Sequence, residues 1–283
     1  MLKLKKTIQE GNIFYFQEGD RYIGERIAEG KYEPYFTKLM LEQAEKGDTV
    51  IDIGANIGYD TILLAKKVGA KGRVYAFEPD KTNYEILIEN IRANNLENVE
   101  AVSAAVGKNE GTAKLFESKD NFGDHRIWKP ENNKKFGADD EVKMISLDGY
   151  FKNKKEKIKL IKIDTQGWEP AVIEGAEKLM AKDSPTLFME YWPWAYKKAG
   201  LDGEEMLKRL NNVYGQINYI DEYIQIYYKV DNKWLFSHYP ENEETKYPNL
   251  WLTKERKVKF FWGAVKDFWL KKWIKRLLSR AAT

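Results

Sequence analysis

Cysteine is absent from this sequence, which removes disulfides, thiolate-bound zinc and thiol nucleophiles together. Its absence gives no sign of an oxidising compartment. Histidine is nearly absent, with only His125 and His238 in 283 residues. Imidazole chemistry therefore has two possible positions, and no compact metal-binding spacing is found, so no metal is expected. Residues 1–10 carry lysines but lack the long apolar stretch of a signal peptide. No run approaches the roughly 20 apolar residues needed to span a bilayer. These absences lead to the expectation of a soluble, cytoplasmic catalytic part. A net charge of +3 is too small to imply a nucleic-acid partner by itself. The length allows a large core, read as one domain with additions at its ends.

What charge there is lies unevenly. Between Lys254 and Arg280, ten Lys or Arg face only Glu255 and Asp267, so this tail carries +8 and the remainder −5. Phe261, Trp262, Val265, Phe268 and Trp269 fall on one face of a helix drawn through residues 258–270. Aromatic residues opposite a cationic face suit an interfacial helix, so residues 254–280 are expected to reach an anionic membrane surface, peripheral on its inner face. The alternative is docking on the catalytic domain, whose charge of −5 attracts the tail.

The stretch that organises the chain is Thr49-Val-Ile-Asp-Ile-Gly54-Ala-Asn-Ile-Gly58. An apolar run ending in glycine reads as a strand buried on both faces, and a helix begins at about Thr61. Strand, glycine turn and helix let a ligand approach backbone amides at a helix N-terminus. A dinucleotide loop needs a second glycine where Asn56 stands, which disfavours a nicotinamide oxidoreductase. The pattern Asp52-x-Gly54-x-x-x-Gly58 instead resembles the first motif of S-adenosylmethionine (SAM) methyltransferases. Twenty residues beyond Gly58, a second buried strand ends in Glu78, an acid able to accept both ribose hydroxyls.

Further along, Ile13–Phe16, Gly19-Asp20 and Tyr22-Ile23 read as a small hairpin, and residues 35–46 as an amphipathic helix. Residues 99–106 read as a third strand, with Ser103, Ala104 and Ala105 small enough for an adenine ring to lie close. A long polar segment, residues 118–140, carries His125. Leu160–Asp164 reads as a fourth strand, followed by a helix over 169–180. Residues 186–190 form a fifth strand, and 203–213 another helix. Tyr223–Val230 and Lys233–Phe236, around Asp231-Asn232, read as a terminal hairpin. Asp52, Glu78, Asp164 and Glu190 then occupy four strand ends of an α/β sheet.

With those residues placed, the chain resembles the FkbM family of methyltransferases from about Gly30 to Gly200. The resemblance rests on six blocks in order: Gly30-Lys-Tyr-Glu-Pro34, Val50 to Gly58, Tyr75-Ala-Phe-Glu-Pro79, Asn121-x-Gly-x-His125, Ser146-Leu-Asp148 and Ile161 to Glu169. It implies a class I SAM-dependent, Rossmann-like fold: a seven-stranded sheet with helices on both faces and its last hairpin antiparallel. It also implies methyl transfer to a hydroxyl, often on a sugar or polyketide-type metabolite. Gln166 stands where many members have Glu, and an amide cannot serve there as an anionic base.

The expected cofactor is therefore SAM, held by Asp52, Gly54, Asn56, Gly58, Glu78 and Ala104. Alcohols are poor nucleophiles, so a base near the acceptor proton is expected. His125 is the first candidate and Asp164 its rival, Asp164 alternatively holding the methionyl amine. The acceptor is expected to be a hydroxyl-bearing sugar, glycan or lipid-linked glycan. A nucleic-acid methyltransferase using the basic tail, and an inactive methyltransferase-like binding module, are the competing readings. Domain boundaries are drawn at 1–46 for a hairpin and helix capping the cleft, 47–245 for the methyltransferase domain and 246–283 for the tail.

Overall fold

The structure, a computed structural model, describes residues 3–130 and 135–254. Strands β1 (Leu4–Gln9) and β2 (Asn12–Gln17) pair antiparallel, and α1 (Gly24–Ala28) and α2 (Pro34–Gln43) lead into β3 (Thr49–Ile53). Then follow α3 (Tyr59–Val68), β4 (Arg73–Phe77), α4 (Lys81–Ala93) and β5 (Val99–Val102). A small separate sheet contains β6 (Ala105–Val106), β7 (Gly111–Ser118) and β8 (Phe136–Ile145). After α5 (Leu147–Tyr150) come β9 (Ile158–Ile163), α6 (Glu169–Glu174), α7 (Glu177–Asp183) and β10 (Thr186–Glu190). The described chain closes with α8 (Pro193–Lys198), α9 (Gly203–Val213), β11 (Gln216–Asp221), β12 (Ile226–Val230), α10 (Asn232–His238) and β13 (Asn249–Thr253).

The main sheet has eight strands in the order β12-β11-β13-β10-β9-β3-β4-β5. From β10 to β5 neighbours are parallel, while β13 runs antiparallel to both β10 and β11. The chain starts at the centre with β3, builds outward to β5, then returns to lay β9 on the other side of β3. The crevice at such a reversal, outside the strands' carboxyl ends, is where open α/β sheets bind ligands. Both sheet faces are covered. Phe36, Leu39 and Met40 of α2 pack with Val50, Leu160 and Phe188 on one face, and Ile53, Ile163 and Met189 join a larger cluster on the other. This is the class I methyltransferase arrangement, with β12 as an eighth strand beyond the seven expected.

Several local expectations change. The N-terminal hairpin turns at Glu10-Gly11, two residues in left-handed conformation, and not at Gly19-Asp20. The Asp20 carboxylate instead accepts the Ile23 and Gly24 N–H groups at 3.0 Å each and turns the chain into α1. The terminal hairpin is β11 with β12; Lys233–Phe236 is helical because the Asp231 side chain accepts the Trp234 N–H at 2.8 Å and caps α10. Residues 99–106 break at Ser103-Ala104, β5 staying with β4 while β6 turns away to pair with β8. The helix expected over 169–180 is interrupted at Gly175, where a Cβ would sit 2.0 Å from the Gly107 carbonyl oxygen.

The boundaries shift as well. The sheet extends past residue 245, because β13 lies between β10 and β11. At the other end, α2 shares the core, and Asn90 of α4 and Asn94, which caps it, hold the backbone of Tyr15 and Ile13, fixing β2 to the domain. No helix among the described residues is long and apolar enough to cross a membrane. The basic tail beyond Lys254 lies outside the described residues.

A chain cut near Asn249 would lose β13 and test folding rather than membrane attachment, so the informative truncation follows Lys254. Full-length protein should sediment with anionic vesicles and remain in the supernatant with neutral ones, each basic residue near the surface adding about 1 kcal/mol. The truncated chain should remain in the supernatant with both. Equal recovery of the two proteins with both lipids would reject the membrane reading.

Candidate active site

The glycine turn after β3 is shaped by contact with the end of β9. Gly54 has φ +74°, and a Cβ there would lie 1.8 Å from the Asp164 carbonyl oxygen. Gly58 caps α3 at φ +92°, a left-handed position that favours glycine, and a Cβ there would lie 2.5 Å from Leu87 Cδ1. Gly54 and Ala55 both donate their N–H groups to the Phe77 carbonyl at 3.0 Å, which ties the turn to the end of β4. Glu78 follows immediately. Its Oε2 accepts from the Asn56 N–H at 2.7 Å and its Oε1 from the Asp80 N–H at 2.8 Å. Each carboxylate oxygen retains acceptor capacity for a further donor, as a ribose diol requires. Burial pushes the Glu78 carboxyl up to about 8, although both backbone donors favour its charged form.

A cavity of about 320 Å³ opens at this point. Of the expected site residues, Gly54, Asn56, Glu78, Ala104, His125 and Asp164 line it. Asp52 and Gly58 do not. Asp52 is wholly buried beneath the turn: its Oδ1 lies 3.2 Å from Lys162 Nζ, and its Oδ2 accepts from the Thr61 hydroxyl at 2.6 Å. The expectation that Asp52 holds the cofactor is therefore corrected to a structural ion pair. The Asn56 side chain is also committed to protein, donating to the Phe122 carbonyl at 3.0 Å and accepting from the Ile57 N–H. Its backbone, left-handed at φ 48°, presents the N–H to Glu78.

Lys162 is the residue that the sequence reading passed over. It projects from β9 one residue before that strand ends, is 5% exposed, and donates to the Gly54 carbonyl at 2.9 Å while pairing with Asp52 and, at 3.8 Å, with Asp60. Burial pulls its ammonium pKa down, but Asp52, Asp164 and Asp60 more than offset that and leave it above the usual lysine value. A single lysine inside Leu160-Ile161-Lys162-Ile163, a strand buried on both faces, was the available signal. Asp60 was missed too. It is 6% exposed and lines the cavity, and burial, despite Lys162, raises its carboxyl to about 7.

His125 sits in the loop after β7 and lines the cavity. Its Nδ1 accepts the Ser118 N–H at 2.9 Å. The neutral ring then carries its proton on Nε2 and presents a donor there, with no vacant lone pair. Burial pulls its pKa below the usual histidine value, outweighing Asp80 and Asp124, which keeps the ring neutral. The expectation of His125 as base does not fit this geometry; a hydrogen-bond donor does. Asp164, just past β9, accepts from Gln166 Nε2 at 2.6 Å through Oδ1 alone. Glu169 is enclosed, its Oε1 accepting from the Thr165 N–H and hydroxyl at 2.8 and 2.9 Å, so it shapes its own turn.

The strand order and this cleft define an α/β transferase of the class I methyltransferase type. The chain belongs to the FkbM methyltransferase family, whose Methyltransferase FkbM domain matches residues 52–225, more than half of the sequence. The cofactor of that family, S-adenosylmethionine, fits a site with a diol acceptor in Glu78, a close-approach turn at Gly54 and an orphaned buried oxygen, Asp60 Oδ1. Among curated relatives, methyltransferase sdnD of Sordaria araneosa is 27% identical over 46% of this chain and 60% of its own length. Hexuronic acid methyltransferase AglP of Haloferax volcanii is 35% identical over 23% of this chain and 26% of its own length. The chain thus spans less than two thirds of either relative. A crystal structure of an FkbM methyltransferase from Methylobacillus flagellatus is 16% identical, covering 76% of this chain and 50% of that one with a TM-score of 0.44.

Three outcomes follow from this site. Lys162→Met leaves Asp52 and Asp60 buried without their cation, and such a loss costs about 3–5 kcal/mol. Denaturant titration should show that loss, with partial recovery when Asp52→Asn is added. For Glu78, the folded-state pKa lies above the unfolded one, so its contribution is complete below the ordinary carboxylate range and lost as pH rises through about 8. The melting temperature of ligand-free protein should fall between about pH 5 and about pH 8 and level off above that, falling less in Glu78→Gln. Glu78→Ala should weaken SAM binding by about 1.5–3 kcal/mol, read by calorimetric titration; unchanged affinity would reject the ribose assignment.

Proposed function

We propose that this protein transfers a methyl group from S-adenosylmethionine to a hydroxyl oxygen of a sugar or related metabolite. One observation carries the reading: the lining that includes Gly54 and Glu78 continues without interruption to Asp164, Glu190, His125, Trp168 and Tyr247. A donor-binding half and a polar, aromatic-walled half of one cavity suit a small hydroxylated acceptor. The name of the Haloferax relative, a hexuronic acid methyltransferase, supports a sugar as acceptor class.

The cofactor, when bound, supplies a methyl carbon made electrophilic by its sulfonium. What remains is alignment of the acceptor oxygen and removal of its proton. In this reading Asp164 takes that proton through the oxygen that Gln166 leaves open, and His125 Nε2–H orients the acceptor. Tyr247 and Trp168 offer flat faces on which a sugar ring stacks. Glu78, Gly54 and the backbone of Asn56 hold the nucleoside end.

Methyl transfer from labelled SAM to a panel of sugars and glycans, read by mass spectrometry, should give O-methylated products. Asp164→Asn should retain SAM affinity while kcat falls by roughly 10²–10⁴, the range for a lost general base. His125→Ala should lower kcat less and leave the pH–rate profile in place, since it removes a donor. Tight SAM binding with no product on any hydroxyl compound would overturn the reading. Collapse of SAM binding in Asp164→Asn would move Asp164 to the methionyl amine.

A further inference from the structure

Among the described residues that line the cavity, Asp60 alone combines more than nine-tenths burial with a side-chain oxygen that accepts no hydrogen bond. A buried carboxylate oxygen in that state is costly unless a bound group supplies a donor. The Thr37 hydroxyl lies near enough to favour the charged form, yet it makes no hydrogen bond to Asp60 Oδ1.

Lys162 does not fill the gap. Its ammonium donates to the Gly54 carbonyl at 2.9 Å and stands 3.2 Å from Asp52 Oδ1. Asp60 Oδ2 is 3.8 Å away, which is a charge contact but too long for a hydrogen bond. One ammonium set against two buried carboxylates leaves one negative charge in surplus, and Asp164 on the same wall adds to it. Arg26, the other lining residue with a fixed positive charge, is exposed and donates to the Lys31 carbonyl at 3.0 Å. Among the described residues no group of three or more ligating side chains could hold a metal ion, so the surplus suits a single organic cation.

The position of Asp60 narrows which cation. It is the second residue of α3, two beyond Gly58, and so belongs to the donor half of the cleft, with Gly54 and Glu78. SAM brings two positive centres to that half. Its sulfonium has no hydrogen to donate, whereas its ammonium offers three N–H groups. Only the ammonium can satisfy both the charge and the orphaned oxygen.

We propose that Asp60 seats the methionyl ammonium of SAM through Oδ1, which leaves the open oxygen of Asp164 to the acceptor. The assignment rests on SAM as cofactor and is independent of the atom that receives the methyl group. It also couples binding to a proton. Burial raises the Asp60 carboxyl to about 7 although Lys162 lowers it, so near neutrality part of the ligand-free protein is protonated there. An ammonium at Oδ1 favours the charged form and expels that proton. Of the groups around Asp60, the Asp52 and Asp164 carboxylates oppose its ionisation and Lys162 supports it. Glu33, Tyr32 and Tyr59, raised chiefly by burial, also feel its charge.

The test titrates full-length protein calorimetrically with S-adenosylhomocysteine, which keeps the ammonium and lacks the sulfonium, and with its deamino analogue. Wild-type protein should bind S-adenosylhomocysteine at least about tenfold more tightly than the analogue, as one hydrogen bond between charged groups provides. Asp60→Asn should cut S-adenosylhomocysteine affinity by at least about tenfold without weakening the analogue. A side chain that only shapes the turn would weaken both ligands together. Asp164→Asn should keep the wild-type preference. Where Asp60→Asn does not fold, wild-type protein decides. At about pH 6.5, titration in two buffers of different ionisation enthalpy should show more protons released by S-adenosylhomocysteine than by the analogue. Equal wild-type affinity for the two ligands, parallel loss of both in Asp60→Asn, equal proton release, or loss of the preference in Asp164→Asn would overturn the inference. None of these readouts uses turnover, so the two readings fail separately: a product methylated on nitrogen or carbon rejects the hydroxyl reading and leaves the Asp60 assignment standing.

Discussion

The cleft depends on one buried cation. Lys162 reaches from near the carboxyl end of β9 to the Asp52 carboxylate on β3 and to the Gly54 carbonyl where the chain leaves that strand. These are the two strands between which the chain reverses direction across the sheet, where a crevice opens by topology alone. Holding them at their carboxyl ends fixes the turn against the Asp164 backbone at a distance only glycine tolerates. Burying an ion pair contributes little net stability compared with an apolar core. Its effect here is positional: the same lysine is an anchor for the donor turn and a counter-charge under the acids of the cleft.

The wall carrying His125 is held by a second set of contacts. Asn56 and Asn83 both donate to the Phe122 carbonyl, joining the loop to the glycine turn and to α4. Four residues on, Arg126 forms a two-point ion pair with Asp124, and its guanidinium lies 4.7, 5.0 and 5.1 Å from the rings of Trp128, Phe136 and Trp192. Arginine in such an aromatic cage is oriented by both its charge and its planar faces. Trp128 then donates to the Gln166 carbonyl. The loop and the turn after β9 therefore form one connected wall, and His125 is fixed relative to Asp164 through it.

The buried strands, the glycine turn and Glu78 were legible because each leaves a local mark: an apolar run, a spacing, an acid at a strand end. The cavity lined by Gly54, Asn56 and Glu78 opens at those marks, whereas Asp52 turned out to be buried beneath the turn. Lys162 was harder because its meaning depends on Asp52, 110 positions earlier, and β-pairing is not written in either segment alone. His125 was placed correctly in the cleft, yet its role turned on a single backbone contact from Ser118, which no residue pattern encodes. Tertiary choice also decided the ends. Asp231-Asn232 suits a turn or a helix start equally well, and Leu235, fully buried in the core cluster, decides for the helix.

Gln166 shows how a departure from the family pattern is read in three dimensions. In the sequence it looks like the loss of a carboxylate from Asp164-Thr-Gln-Gly-Trp-Glu169. In the structure it occupies a left-handed position, φ 52°, with its carbonyl held by Trp128 and its amide 2.6 Å from Asp164 Oδ1. A glutamate in that pose would set two anions in contact, a pair that stays together only by retaining a proton. The amide instead donates to Asp164 and leaves its other oxygen open to the cavity. Removal of the second acid therefore does not empty the site of a base. Under the proposed function that task falls to Asp164, through the oxygen that Gln166 leaves open.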